Sequence, residues 1–210
     1  MNQKNGKNSL GLDSSFEEHD NPIDLFKNWF DKAKESEIND PNAVSLGTVD
    51  DKKQPSVRMV LLKGLSNEGF VFYTNFNSKK GSDLKKNHFA SMCFHWKSLR
   101  RQVRVIGEVK QVSDLEADDY FNSRPYGNRI AAWASSQSKP MKNRNIFLDK
   151  IEEFKKKFSN EKKVPRPPHW SGWRIHPKEI EFWIDGESRV HERLNYILKE
   201  SQWIKEILYP

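Results

Sequence analysis

The chain has a single cysteine, Cys93, so no intrachain disulfide can form. Its place in the run Ala90-Ser91-Met92-Cys93-Phe94 reads as that of a small core residue. The six histidines, at 19, 88, 95, 169, 176 and 191, form no ligand-spaced cluster, which argues against zinc or any other metal centre. No apolar run approaches the roughly 18 residues of a membrane span, and residues 1–20 are polar with no signal-peptide core. A soluble cytoplasmic protein is the expectation. Also missing are a Gly-x-Gly-x-x-Gly turn and alternating strand–helix units, which disfavours a dinucleotide-binding doubly wound sheet.

What is present is enough to build a core. With 35% hydrophobic and 12% aromatic residues in 210, wholesale disorder is excluded and one large domain is favoured over two small ones. The formal charge is +7. That suits an anionic partner (a phosphorylated metabolite, nucleic acid or a membrane surface) without choosing among them.

Residues 1–20, rich in Asn, Ser, Lys and Glu, read as a flexible N-terminal arm, leaving 21–210 as the domain. Asn21-Pro22 opens a helix: Asn21 can cap it, Pro22 suits its first turn, and Asp24 complements its dipole. Ile23, Phe26, Trp29 and Phe30 mark its apolar face. Short strand-like runs follow at 44–49, 56–63 and 70–74, then a polar helix at 78–87 and strands at 90–96 and 102–112. Ser113-Asp114-Leu115-Glu116 resembles a capping box and begins a helical insert over about 113–160, with a charged helix at 149–158. An extended connector, 165–168, leads into a last strand group over about 170–210. Consecutive short strands at both ends predict a mainly β fold (α+β), an antiparallel barrel with peripheral helices.

Several segments could carry chemistry. Arg189-Val190-His191-Glu192-Arg193 places three cationic groups at alternate positions, and on a strand they would line up on one face. Such a row persists where an anion or electron-rich ring lies against it; the plainer reading is a solvated face of a basic protein. Arg58-Met59-Val60-Leu61-Leu62-Lys63 brackets a buried-looking strand with cations, which need partners unless they simply emerge into water. Residues 73–80, Tyr-Thr-Asn-Phe-Asn-Ser-Lys-Lys, run from a strand into a helix start, the chemistry of a phosphate cradle, although lysine pairs also decorate solvated helices. Gln102, entering a strand, can offer donor and acceptor to a heterocycle or stay on the surface. Tyr120 and Arg124, four apart, could grip one phosphate from a shared helix face, with Arg124 near the helix end because it precedes Pro125. Trp133 to Ser138 suits a close-packed loop with free donors and is weak alone.

Taken together, the segments RMVLLK (58–63), YTN (73–75), RQVRVIG (101–107), YFNSRP (120–125), QS (137–138), and EFW (181–183) followed by RVHER (189–193) resemble the pyridoxine/pyridoxamine 5′-phosphate oxidase family, in family order across about 21–210. The resemblance implies an FMN-binding split β-barrel, active as a homodimer with FMN at the subunit interface. Its cofactor-binding set falls on Arg58, Met59, Val60, Leu61, Leu62, Lys63, Tyr73, Thr74, Lys79, Lys80, Gln102, Gln137, Ser138, Trp183 and Arg193. Its substrate set falls on Lys63, Tyr120, Arg124, Arg189 and His191, the last two also catalytic, and Asn128 stands where a serine is common. Lys79 stands where arginine is common, which keeps charge but loses a bidentate fork. The arm lacks the Arg/Tyr pattern of a lid.

The implied reaction oxidises pyridoxamine or pyridoxine 5′-phosphate to pyridoxal 5′-phosphate in vitamin B6 biosynthesis and salvage. Substrate C4′ passes a hydride equivalent to FMN, O2 reoxidises the flavin to give hydrogen peroxide, and the amine also yields ammonia. Two other readings compete. A flavin reductase on the same barrel would have no use for both Tyr120/Arg124 and Arg189/His191. A basic nucleic-acid-binding module is disfavoured because acidic residues are interspersed and no recognised motif appears.

Overall fold

The computed structural model describes residues 6–160 and 163–210. Its centre is a nine-stranded antiparallel sheet in which β2 (Pro55–Leu61), β1 (Ala43–Val49), β5 (Phe89–Trp96), β6 (Arg101–Gln111), β7 (Trp170–Ile184), β4 (Gly69–Asn75) and β3 (Gly64–Ser66) follow one another. β8 (Glu192–Lys199) also pairs with β7 and carries β9 (Gln202–Leu208). β7 serves two neighbours on one edge: its first half pairs with β4, from Trp170 to Ile175, and its second half with β8, from Glu179 to Ile184. β6 lines the other edge from Trp173 to Ile184. The sheet is thus split along its longest strand, as the mainly β barrel reading expects.

A bulge makes this possible. The β6–β7 register shifts between Ile106 and Gly107, leaving Lys178 without an opposite residue, and Pro177 sits at the irregularity, where a missing N–H costs no ladder bond. Gly107 is required there, since a Cβ would come within 2.1 Å of the His176 carbonyl.

One face of the sheet packs on α1 (Pro22–Ser36). Asn21 caps this helix through Ile23 N, and Phe26 meets Phe70 and Phe94 at 4.9 and 5.0 Å between ring centroids while Trp29 meets Phe182 at 5.1 Å. Each such ring contributes about 1.5–3 kcal/mol of burial. The insert forms α3 (Asp114–Ser123), α4 (Tyr126–Ala134) and α5 (Asn145–Lys157); Ser113 caps α3 as anticipated, and the break between α3 and α4 falls at Arg124-Pro125. The last helix starts at Asn145, earlier than its charge pattern suggests. α2 (Lys79–Lys86) follows β4.

Three sequence expectations change. Residues 6–20 do not project as a free arm: Phe16 is fully buried, Trp29 Nε1 donates to Ser15 O at 2.8 Å, and Tyr196 Oη donates to His19 O at 3.0 Å. Polar composition hid two apolar anchors, Leu12 and Phe16. Cys93 is not in the core but half-buried on the outward side of β5, opposite Arg104 and Ser45. The third change concerns the basic row. Glu187–Arg189 forms a 3-10 turn, with Ser188 and Arg189 at φ of 53° and 64°, and only Arg193 of the three lies on β8. A turn, not an extended strand, carries Arg189.

Burial pushes the Tyr196 hydroxyl up to about 12. Because the folded phenol titrates above the ordinary value near 10, its stabilising contribution is complete below about pH 10 and is lost as pH rises toward 12. Denaturant midpoints are expected to fall across that window in the parent, and to fall less steeply in Tyr196→Phe.

Candidate functional site

Where β2, β4 and the insert meet, a cavity of about 570 Å³ opens. Met59, Val60 and Leu61 of β2 border it, with Lys63 just beyond the strand. β4 contributes Tyr73, Thr74 and Asn75, and α2 contributes Lys80. The insert supplies Tyr120, Arg124 and Asn128, and the following loop Gln137. Segments far apart in sequence therefore converge as the motif set anticipates. Tyr120 lies on α3, and Arg124 stands at the helix end as Pro125 leads one to expect, its C-cap backbone extended, so the two do not share a helical face.

Stacked rings form one wall. Tyr73 lies 3.9 Å from Tyr120 and 5.4 Å from Trp170, nearly parallel to both. Burial, with the nearby Glu116 carboxylate, raises the Tyr73 hydroxyl to about 12, so it stays a neutral donor. The Arg124 guanidinium stacks over Trp170 at 4.7 Å, and its Nη1 is buried with no hydrogen-bond partner. Burial lowers the Arg124 pKa, yet guanidinium remains charged at neutral pH.

Lys80 is another cation of the cavity, which Lys63 and Arg124 also line. Its Nζ donates to Thr74 Oγ1 and to Gln137 Oε1, each at 3.0 Å, both neutral acceptors. Burial first, and then Arg58, lower its pKa. An ammonium seated among neutral acceptors beside a second cation is the donor set an anionic oxygen completes. Arg124 and Lys80 thus have separate seats with separate partners.

Arg58 and Lys79 stand outside the cavity. Arg58 donates to Leu46 O, Thr48 Oγ1 and Ser56 Oγ at 3.0, 2.7 and 2.7 Å. Lys79 pairs with Asp83 at 2.7 Å and Asp50 at 3.3 Å. Asp83, buried, also accepts from Thr48 Oγ1 and lies 3.9 Å from Arg58, so it anchors the group. Leu62 is buried in the core, and Ser138, at φ 68°, faces a neighbouring cavity beside α5.

The remaining site candidates gather at the far end of β7. Gln102, Trp183 and Arg193 are direct cross-strand neighbours on β6, β7 and β8, forming one row. His191 packs on Trp183 at 4.6 Å between centroids, while Arg189 is exposed in its turn. The adjoining row is Arg104, Glu181 and Asn195. Glu181, 2% exposed, accepts from Arg104 and from Arg193 Nε at 2.9 Å, which raises the Arg193 pKa and fixes its side chain. Arg193 Nη1 donates to Tyr209 O at 2.9 Å.

Sequence reasoning did not single out Glu181, Asp83, Trp170 or Asn75. Asn75 lay inside a quoted motif, and Lys79–Asp83 had the i,i+4 spacing of a helix pair. Glu181 likewise lay inside the quoted EFW run, while Trp170 gave no local signal.

A split antiparallel barrel with a cationic, ring-walled cavity defines a protein that binds phosphorylated aromatic ligands. Residues 30–184 match the pyridoxamine 5′-phosphate oxidase family and residues 170–210 its pyridoxine 5′-phosphate oxidase C-terminal dimerisation region. The chain belongs to this family. It is 58% identical over 207 residues, 98% of this chain and 100% of the relative, to the pyridoxine/pyridoxamine 5′-phosphate oxidase of Pelagibacter ubique. To that of Agrobacterium fabrum it is 52% identical over 203 residues, 95% and 98% of the two chains. PhzG from Burkholderia lata, crystallised with tetrahydrophenazine-1-carboxylic acid, superposes with a TM-score of 0.88 at 26% identity, covering 98% and 100%. A pyridoxamine 5′-phosphate oxidase-related FMN-binding protein of Nostoc punctiforme shares the fold, with a TM-score of 0.70 at 15% identity over 89% and 96%. Among the described residues no helix is long and apolar enough to cross a membrane, and no metal-holding cluster occurs.

Proposed function

We propose that this chain is an FMN-dependent oxidase that converts pyridoxamine and pyridoxine 5′-phosphates to pyridoxal 5′-phosphate with O2, working as a homodimer in the cytoplasm. The observation that carries this reading is the pair of independently seated cations, Lys80 and Arg124, in one ring-walled cavity. A phosphorylated cofactor and a phosphorylated substrate need two grips, and each of these cations can serve one.

FMN, when bound, supplies the two-electron chemistry. Lys80, Thr74 and Gln137 are suited to its phosphate, and Gln102, Trp183 and Arg193 to its ring. Lys63, Tyr120, Arg124 and Asn128 are suited to the substrate phosphate, so that binding energy at a remote group fixes the reacting carbon. Arg189 and His191 would then border the substrate ring.

The two halves of this site are far apart within one chain. Trp170, at the cavity, and Trp183, in the ring-facing row, lie near opposite ends of β7, about 40 Å along the strand at its usual rise. A small cofactor bridges them only if a second chain presents its row to the first chain's cavity. The dimerisation region at 170–210 supports this, as do the outward apolar residues Val57 and Met59 of β2, 70% and 61% exposed in the single chain.

Anaerobic mixing with pyridoxine 5′-phosphate is expected to bleach the flavin absorption of the FMN-loaded protein. Unphosphorylated pyridoxine at the same concentration should leave it yellow. Flavin that stays oxidised with the phosphorylated alcohol and with pyridoxamine 5′-phosphate would defeat the proposal.

A further inference from the structure

Arg100 and Asp185 belong to none of the matched motif positions, yet they build a connected group behind His191. Arg100, at φ 54° just before β6, donates from Nε and Nη2 to Asp185 Oδ2 at 2.9 and 2.6 Å. The backbone repeats the link, since Asp185 N donates to Arg100 O at 3.0 Å. The other carboxylate oxygen, Oδ1, lies 3.1 Å from His191 Nδ1. The chain between them doubles back tightly: a Cβ at Gly186 would fall 1.8 Å from Val190 O. That closure returns His191 to the carboxylate, with its ring against Trp183.

We propose that Asp185, pinned by Arg100, is a positioning residue that fixes His191 in the tautomer with its proton on Nδ1, leaving Nε2 as the ring's open acceptor. The inference rests on the reading that His191 borders the substrate. Arg100, and then His191, hold the Asp185 carboxyl below the usual aspartate range, so it is ionised at neutral pH. The Gly186 N–H, 3.2 Å from the same Nδ1, competes for its lone pair. The carboxylate is closer and charged, and charge-assisted hydrogen bonds are about twice as strong as neutral ones. A carboxylate behind an imidazole sets tautomer and orientation in this way wherever histidine handles protons. In the alcohol reaction, Nε2 would take the hydroxyl proton while the C4′ hydrogen leaves with its electron pair to the flavin, so charge and electrons balance.

The test uses full-length FMN-loaded protein with 15N-labelled histidine at mildly alkaline pH. Long-range 15N–1H correlation spectra are expected to show the His191 proton on Nδ1 in the parent and on Nε2 in Asp185→Ala. Asp185→Ala should lower kcat about tenfold with KM and FMN content unchanged. Asp185→Asn, whose single amide oxygen stays with the Arg100 donors and turns its NH2 toward His191 Nδ1, should likewise move the proton to Nε2 and lower kcat. An unchanged tautomer, or parental kcat, in Asp185→Ala would overturn the inference. Parental turnover in His191→Ala would instead remove the site reading on which it rests, whatever the spectra show.

Discussion

Replacing Arg124 with alanine is expected to raise KM for pyridoxamine 5′-phosphate by about a hundredfold while leaving FMN content unchanged. The guanidinium stands over Trp170 with Nη1 buried and unpartnered, so its desolvation is already borne in the free protein. A phosphate oxygen would restore the missing bond. Hydrogen bonds to charged groups contribute about 1.5–3 kcal/mol each, and tenfold in affinity is about 1.4 kcal/mol, which gives the expected range for one or two such bonds. The same reasoning sets the effect on stability. Alanine removes a stacking contact worth about 0.5–1 kcal/mol but also removes a buried unsatisfied donor, so the melting temperature should stay within a few degrees of the parent. Steady-state kinetics and a thermal scan of one preparation check both halves. A large loss of stability with unchanged KM would make Arg124 a structural residue.

Glu181→Ala should have the opposite signature. This buried carboxylate is the shared acceptor of Arg104 and Arg193, and its loss leaves two guanidinium groups side by side on one face. Breaking a buried pair by removing one partner costs about 3–5 kcal/mol, and the low end applies because Arg104 is partly exposed. At about 2–4 °C per kcal/mol for a chain of this size, the melting temperature should fall by roughly 6–12 °C. Arg193 would keep only its bond to Tyr209 O, so FMN retention after gel filtration should fall as well. Glu181→Gln keeps the shape and one acceptor and should lie between. A melting temperature within two or three degrees of the parent in Glu181→Ala would show that the arginines find water as easily as the carboxylate.

How much of this was legible beforehand depends on the range of the interaction. Caps are local, and Asn21 and Ser113 behave as the sequence suggests, whereas β2, read as a buried strand, alternates exposed and half-buried residues, with Val57 and Met59 facing outward. The cavity was legible as separate segments, because each carried an unusual mixture of cations, hydroxyls and rings. The acidic counterparts were not. Glu181 and Asp185 each owe their importance to a partner on another element that their sequence neighbours do not name, and the i,i+4 spacing of Lys79 and Asp83 shows only the local part of Asp83's role. The basic row was misread for a definite reason. Alternate spacing implies a shared face only in extended backbone, and the left-handed turn at Ser188 and Arg189 breaks that condition. The N-terminal segment was misread because its average polarity outweighed Leu12 and Phe16, the two residues that dock it.

The length of β7 has a genetic consequence. On the proposed two-chain arrangement, each active site takes its cavity from one polypeptide and its ring-facing row from the other. A dimer formed from one chain damaged at Arg124 and one damaged at Arg193 then holds one site with both lesions and one with neither. Two alleles that are each inactive alone would complement when expressed together, whereas two lesions within the same half would not. Inheritance would sort the variants of this protein into two groups, with the boundary running across the middle of a single strand.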